Sequence, residues 1–227
     1  YYIYIKTIRN FIMILQSILI ILTYIDISKS QDPVARFPLQ FSANVEIISH
    51  LIDETSEFPP RSRHMSIYYD YLAKQARADI EGGYEAAKYY IRRYDNKSEY
   101  MVRLPPIDDC KRSYLGESMP FPDLSELLYV GKEKIDSTLC NYFIFDQHSS
   151  RIHIYMNAED DSPVRLIEEN ILDDVSTPLL TYEYSDVIIG PPSAEWFELP
   201  SQFDRSTCVR HVGGFPYLHI FHYFVRF

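Results

Sequence analysis

From Phe41 onward, apolar and polar residues alternate with a period of two, the pattern of a half-buried β-strand. Phe41, Ala43, Val45 and Ile47 alternate with Ser42, Asn44 and Glu46, which predicts a first strand. Residues 65–71 (MSIYYDY) predict a second. Residues 75–84 (QARADIEGGY) follow the short link Leu72-Ala73-Lys74 as its hairpin partner. Residues 87–94 (AKYYIRRY) and 99–104 (EYMVRL) flank Asp95-Asn96-Lys97-Ser98, whose turn chemistry predicts a second hairpin. Pro105 and Pro106 end that strand and open a loop running through Cys110 to Pro122. Alternation resumes over residues 127–135, 139–146 (LCNYFIFD), 151–157 (RIHIYMN), 163–169 and 177–189, separated by polar turns. Only residues 193–199 (SAEWFEL), between Pro192 and Pro200, read as a short helix.

About ten strands at short, turn-marked spacings, with no long helical period between them, describe an antiparallel meander rather than a parallel α/β sheet. The expected fold is mainly β: an antiparallel half-open barrel or a two-sheet sandwich, with a short C-terminal helix. Such a sheet has one apolar face to hide, and barrels of this size hold either a filled core or one small ligand. Ile152, Ile154 and Met156 share one strand face, Val164 and Leu166 another, and Leu180, Tyr182 and Tyr184 a third. These eight residues are the candidates for a concave, ligand-facing surface, with ordinary core packing as the plainer alternative.

Ahead of this body stands a greasy run, residues 11–25 (FIMILQSILIILTYI), followed by Ser28-Lys29-Ser30. The run has the length of a signal-peptide core and falls short of the roughly 20 apolar residues a membrane span needs. Lys6 and Arg9 supply positive charge before it, and Ser28 and Ser30 place small residues where a signal peptidase reads. The expectation is a leader over residues 1–30 cleaved before Gln31, with Met13 as a candidate start, a β domain over 31–208 and an extension or linker over 209–227. Loss of residues 1–30 takes Lys+Arg from 22 to 19 and Asp+Glu from 32 to 31, so the net charge moves from −10 to −12. That acidity opposes nucleic acids and anionic membrane surfaces, which require clustered cations. The 20 Tyr and 13 Phe, against 7 Gly and one Trp, reinforce the β reading.

An exported chain with three cysteines is expected to make one bridge and leave one thiol. Cys110 and Cys208 lie in loop-like stretches and are the better pair, because Cys140 sits among apolar strand residues. Asn96-Lys97-Ser98 is a glycosylation sequon on an expected turn. His219 and His222, with His211 upstream, fall on opposite faces of an extended segment and do not converge as zinc ligands do. His153 alternates with Ile152 and Ile154 and is expected to face solvent. Cys208 and His211 lack the motif of a thiol protease, and no serine-hydrolase elbow, phosphate loop or calcium loop is present. No catalysis, metal or cofactor is expected.

Taken in order, several segments resemble the ependymin-like and LolA-type lipid-binding fold. They are F-S-A-N-V-E at 41–46, Y-D-Y then R-A-D-I at 69–80, Asp109-Cys110, Tyr129-Val130-Gly131, and Cys140-Asn141-Tyr142-Phe143. Pro163-Val164-Arg165-Leu166, Pro192, and Phe197-Glu198-Leu199-Pro200 before Cys208 complete the series. Such domains also stand N-terminal to some protist papain-like cysteine proteases of the counting factor associated protein D kind. The resemblance implies an exported or lysosomal, non-catalytic domain that binds a hydrophobic ligand or lipid in a β pocket. It implies a Cys110–Cys208 bridge tying the loop to the C-terminal end, whereas Cys140 matches no paired position. It also admits an accessory role beside a cysteine protease domain, with residues 209–227 as a linker or a final strand of a fragment.

Overall fold

The computed structural model describes residues 32–53, 55, 61–82, 86–119, 121, 124–147, 149–173 and 175–215. The chain divides into two compact units, Tyr1–Pro33 and Val34–Phe227. The first, which carries the expected leader, lies outside the described residues except for Asp32 and Pro33, and so do His219 and His222.

The second unit is built on one sheet. Its strands are β1 (Gln40–Ser49), β2 (Ser62–Asp70), β3 (Gln75–Ile80), β4 (Lys88–Arg93), β5 (Ser98–Arg103) and β6 (Asp109–Tyr114). They continue with β7 (Leu128–Ile135), β8 (Thr138–Gln147), β9 (Ser150–Asn157), β10 (Pro163–Leu172), β11 (Val175–Ile189) and β12 (Val209–Arg210). The spatial order is β12-β6-β5-β4-β3-β2-β1-β11-β10-β9-β8-β7. All neighbours are antiparallel except β12, which runs parallel to β6. The ten strands expected from the alternation are present. One further strand was not expected: β6, inside the stretch read as a loop; β12 lies in the 209–227 segment, read as a linker or a final strand.

The expected sandwich is replaced by this single sheet, which has free edges at β12 and β7 and does not close into a barrel. The expected helix is only a 3-10 turn, Ala194–Phe197. Tight hairpins in a glycine-poor chain place aspartates in the left-handed region, among them Asp136 (φ 51°) between β7 and β8 and Asp173 (φ 50°) between β10 and β11. Aspartate tolerates that conformation better than most non-glycine residues. The β7 edge carries Lys132, Glu133 and Lys134, charges that discourage edge pairing.

Residues directly opposed on antiparallel strands share a face. Phe41 faces Tyr69, and Tyr69 faces Ala76; Ala43 faces Ile67, and Ile67 faces Ala78. Val45 lies between Met65 and Tyr184, and Ile47 opposite Tyr182. From Tyr182 the same row continues through Leu166, Ile154 and Phe143 to Tyr129. One apolar face therefore runs without a break from β3 to β7, and its buried residues form one cluster with Phe37, Met119 and Leu124.

The connection from β6 to β7, residues 115–127, makes this face concave. It joins strands at opposite ends of the sheet, ten strand spacings apart. On a flat sheet that is about 48 Å across. The connection must also descend the length of the sheet, about 26 Å more, giving a diagonal of about 55 Å. Fourteen residue steps reach at most about 46–50 Å fully extended. This connection is not fully extended, since Leu127 N–H donates to Leu124 O across a turn. The sheet must curl about its apolar face to let the connection cross, and Met119 and Leu124 pack into that face.

Candidate functional site

The concave face and the strap that crosses it form the candidate site. β1 and β2 supply Phe41, Val45, Met65, Ile67 and Tyr69, β3 supplies Ala76 and Ala78, and β8 to β11 supply Phe143, Ile152, Ile154, Met156, Leu166, Tyr182 and Tyr184. Leu180 and Phe145 pack at its margin. Of the eight residues proposed from sequence, Ile152, Ile154, Met156, Leu166, Leu180, Tyr182 and Tyr184 are brought together here. Val164 is not. The register shifts between Pro163 and Arg165, and this bulge turns Val164 to the opposite face, against Ile135, Cys140 and Tyr155. The residues of β1 and β2 were missed as site candidates although their alternation was visible, because strand order decides which faces coincide.

Few polar groups enter this surface. Burial raises the phenol pKa of Tyr184 well above its usual value, and burial does the same for Tyr69, so both present neutral hydroxyls. At its β4 margin the same face carries Arg92, the register partner of Ala76, which is paired with Glu99. The surface from β3 to β7 suits apolar matter.

The strap is fastened at identifiable points. Leu115 N–H donates to Lys97 O at 3.0 Å. Glu117 accepts from Arg92 Nη1 at 2.8 Å, and Phe121 meets Tyr71 edge to face with centroids 5.2 Å apart. Arg92 and Glu99 are a buried pair, 7% and 1% exposed, with Nε to Oε2 at 3.2 Å. The network also holds the C-terminal segment: Arg92 Nη2 donates to Phe215 O, and Phe215 N–H donates to Glu99 Oε1 at 3.1 Å. Burial raises the Glu99 pKa against the opposing pull of Arg92. Within 209–227, read as an extension or linker or as a final strand, residues 210–215 thus include a segment packed against β4 and β5, where Phe215 contacts Tyr90.

The convex face is covered locally. Trp196 stacks on Tyr68 at 4.3 Å, and the Arg77 guanidinium lies 4.2 Å from the Tyr89 ring centre and donates to Trp196 O. Cys110 and Cys208 are bonded to each other and pack with Tyr100 and Val102. Cys140 is a buried free thiol whose pKa burial raises, the state of an inert packing residue. His153 does not face open solvent as expected. It is half-buried on the convex face between Tyr142 Oη, 2.6 Å from Nδ1, and Glu169, 3.0 Å from Nε2. Asn96 is exposed in the turn joining β4 and β5.

No family model and no curated relative matches the chain. Solved structures do resemble it. An uncharacterized conserved protein from Thermus thermophilus is 13% identical, over 77% of this chain and 91% of that one, with a TM-score of 0.51. A LolA superfamily protein from Nitrosomonas europaea is 13% identical over 73% of this chain and 93% of that one, with a TM-score of 0.35. MucB, solved in complex with MucA(peri), is 10% identical over 72% of this chain and 54% of that one, with a TM-score of 0.41. At these identities the likeness to the Thermus protein concerns the fold alone: a mainly β protein made of one large curled sheet.

Proposed function

We propose that this chain is a non-catalytic, exported or lysosomal domain that binds a hydrophobic ligand, such as a lipid acyl chain, on the concave face of its sheet. One observation carries the reading. A continuous apolar surface from β3 to β7 has no second sheet opposite it among the described residues, and a thirteen-residue strap crosses it. A curled sheet that closes on itself fills its interior with side chains; one left unclosed and bridged by a strap can admit an apolar guest. Burial of acyl surface there contributes roughly 25 cal/mol per Å² removed from water. The Cys110–Cys208 bridge supports an oxidising compartment, in keeping with a cleaved leader.

The test is titration of the purified protein with a naphthylamine probe that fluoresces on entering apolar sites, followed by displacement with fatty acids of increasing length. The reading expects saturable binding, displacement that strengthens with chain length, and weakening when Leu166 or Tyr182 is replaced by serine. Absence of saturable binding, or displacement indifferent to chain length, overturns it.

A further inference from the structure

At the β12 edge, four cations converge in a chain whose net charge is −10: Lys97, Arg112, Arg205 and Arg210. They border a cleft of about 200 Å³. Arg77, Arg93, Arg103, Arg151 and Arg165 each pair with a carboxylate elsewhere in the molecule. Among the described residues, no carboxylate lies within 4.0 Å of any of these four. Arg112 and Arg210 are register partners on adjacent strands, and like charges so placed destabilise a sheet. With 32 acidic residues in the chain, such an arrangement without an acidic neighbour is a cost that a bound anion removes.

The cleft is also built to stay open. Cys110 and Cys208 each stand two residues from a cleft arginine, and their bond fixes β6 against the chain entering β12. Arg112 Nε donates to Cys208 O, and His211 N–H donates to Arg112 O at 2.7 Å. Hydroxyl groups complete the lining: Tyr100 and Tyr114 stand beside the cations. Arginine forks match carboxylate and phosphate oxygens alike, and donors converging from several side chains suit the larger number of oxygens on a tetrahedral oxyanion. The volume falls below the roughly 300–1,000 Å³ of drug-sized sites, so it suits an oxyanion with a small attached group rather than a whole lipid.

We propose that this cleft binds a phosphate or sulfate monoester, with Arg205 and Arg210 as its principal accessible contacts. The site is separate from the concave face and independent of what that face holds. The test is calorimetric titration of the full chain at low salt with glycerol 3-phosphate and with sodium sulfate. Flotation with phosphatidylcholine vesicles, with and without phosphatidic acid, runs beside it. Binding of the soluble esters alone assigns a free solute, and binding of the anionic vesicles assigns a lipid headgroup; either supports the site. Arg205→Ala with Arg210→Ala should weaken binding by about ten-fold or more, and the paired lysine variants should restore part of it. The alanine pair should leave the thermal midpoint and naphthylamine binding unchanged, which separates this site from the apolar one. Failure of every probe to bind the unaltered chain, or equal binding by the alanine pair, overturns the proposal.

Discussion

Removing the Cys110–Cys208 bridge tests how the sheet is held at its β6–β12 corner. The bridge closes a sequence separation of 98 residues, which contains the strap and all of β7 to β11. In the chain-entropy account, a ring of that size withholds about 4.7 kcal/mol of freedom from the unfolded state at 25 °C. Both cysteines are 3% exposed and pack beside Leu199 and Phe203, so their replacement by alanine removes some packing as well. For a domain of this length each kcal/mol moves the thermal midpoint by about 2–4 °C, so a fall of about 9–19 °C is expected. Urea unfolding followed by circular dichroism, oxidised chain against Cys110→Ala/Cys208→Ala, gives the free energy directly. Thiol labelling of the oxidised chain should find one thiol, Cys140, and only after unfolding, because that side chain is fully buried. A loss under about 1 kcal/mol, or labelling of Cys110 or Cys208 in the native oxidised protein, refutes the argument.

Three further outcomes follow from the packing and electrostatics. Glu99→Ala strands Arg92 in a buried site and should cost about 3–5 kcal/mol in denaturant unfolding, the lower end if Glu117 compensates; a loss below about 1 kcal/mol contradicts the buried-pair reading. Leu166→Ala, at the centre of the concave face, should cost about 2–5 kcal/mol, whereas exposed Leu172→Ala should stay within about 0.5 kcal/mol. Hydrogen bonds from Arg93 to Asp95 and from Arg103 to Asp109 hold those carboxyls below their usual pKa. Their contribution is therefore complete at pH above about 4 and lost as pH falls through the depressed values. Asp109→Asn should lower stability at pH 7 by less than about 1 kcal/mol, since the pair is part-exposed, and by progressively less as pH falls below about 4; a loss that does not shrink with falling pH contradicts the ion-pair account.

The strands were legible because most bury one face, and a period of two reports that directly. β6 (DCKRSY) escaped because its only buried residue is Cys110, so no apolar alternation marks it between Pro106 and Gly116. Whether the apolar face would be hidden by a second sheet or by curling depends on strand order, which local periodicity does not carry. The connection 115–127 decides it only once its two ends are known to sit on opposite sides of the sheet. β4 and β5 obscure the period further. Tyr89 to Arg92 are buried on both faces, by the 199–208 segment on one side and by Phe215 on the other. Seven of the eight proposed ligand-facing residues share the concave face, and Val164 departs because a bulge shifts parity by one residue. The cationic cleft was invisible in the sequence for a plainer reason. Arg205 and Arg210 lie far along the chain from Lys97 and Arg112, and the β5–β6 and β12–β6 pairings bring the two groups together.

The central claim is that the concave face holds an apolar guest. Native mass spectrometry of the purified protein, followed by organic extraction, tests it most directly. The account predicts a mass above that of the covalent chain, an extractable hydrophobic molecule that accounts for the difference, and loss of that mass in Leu166→Ser. A chain that carries no extractable apolar molecule, and takes none up from added fatty acid, contradicts it.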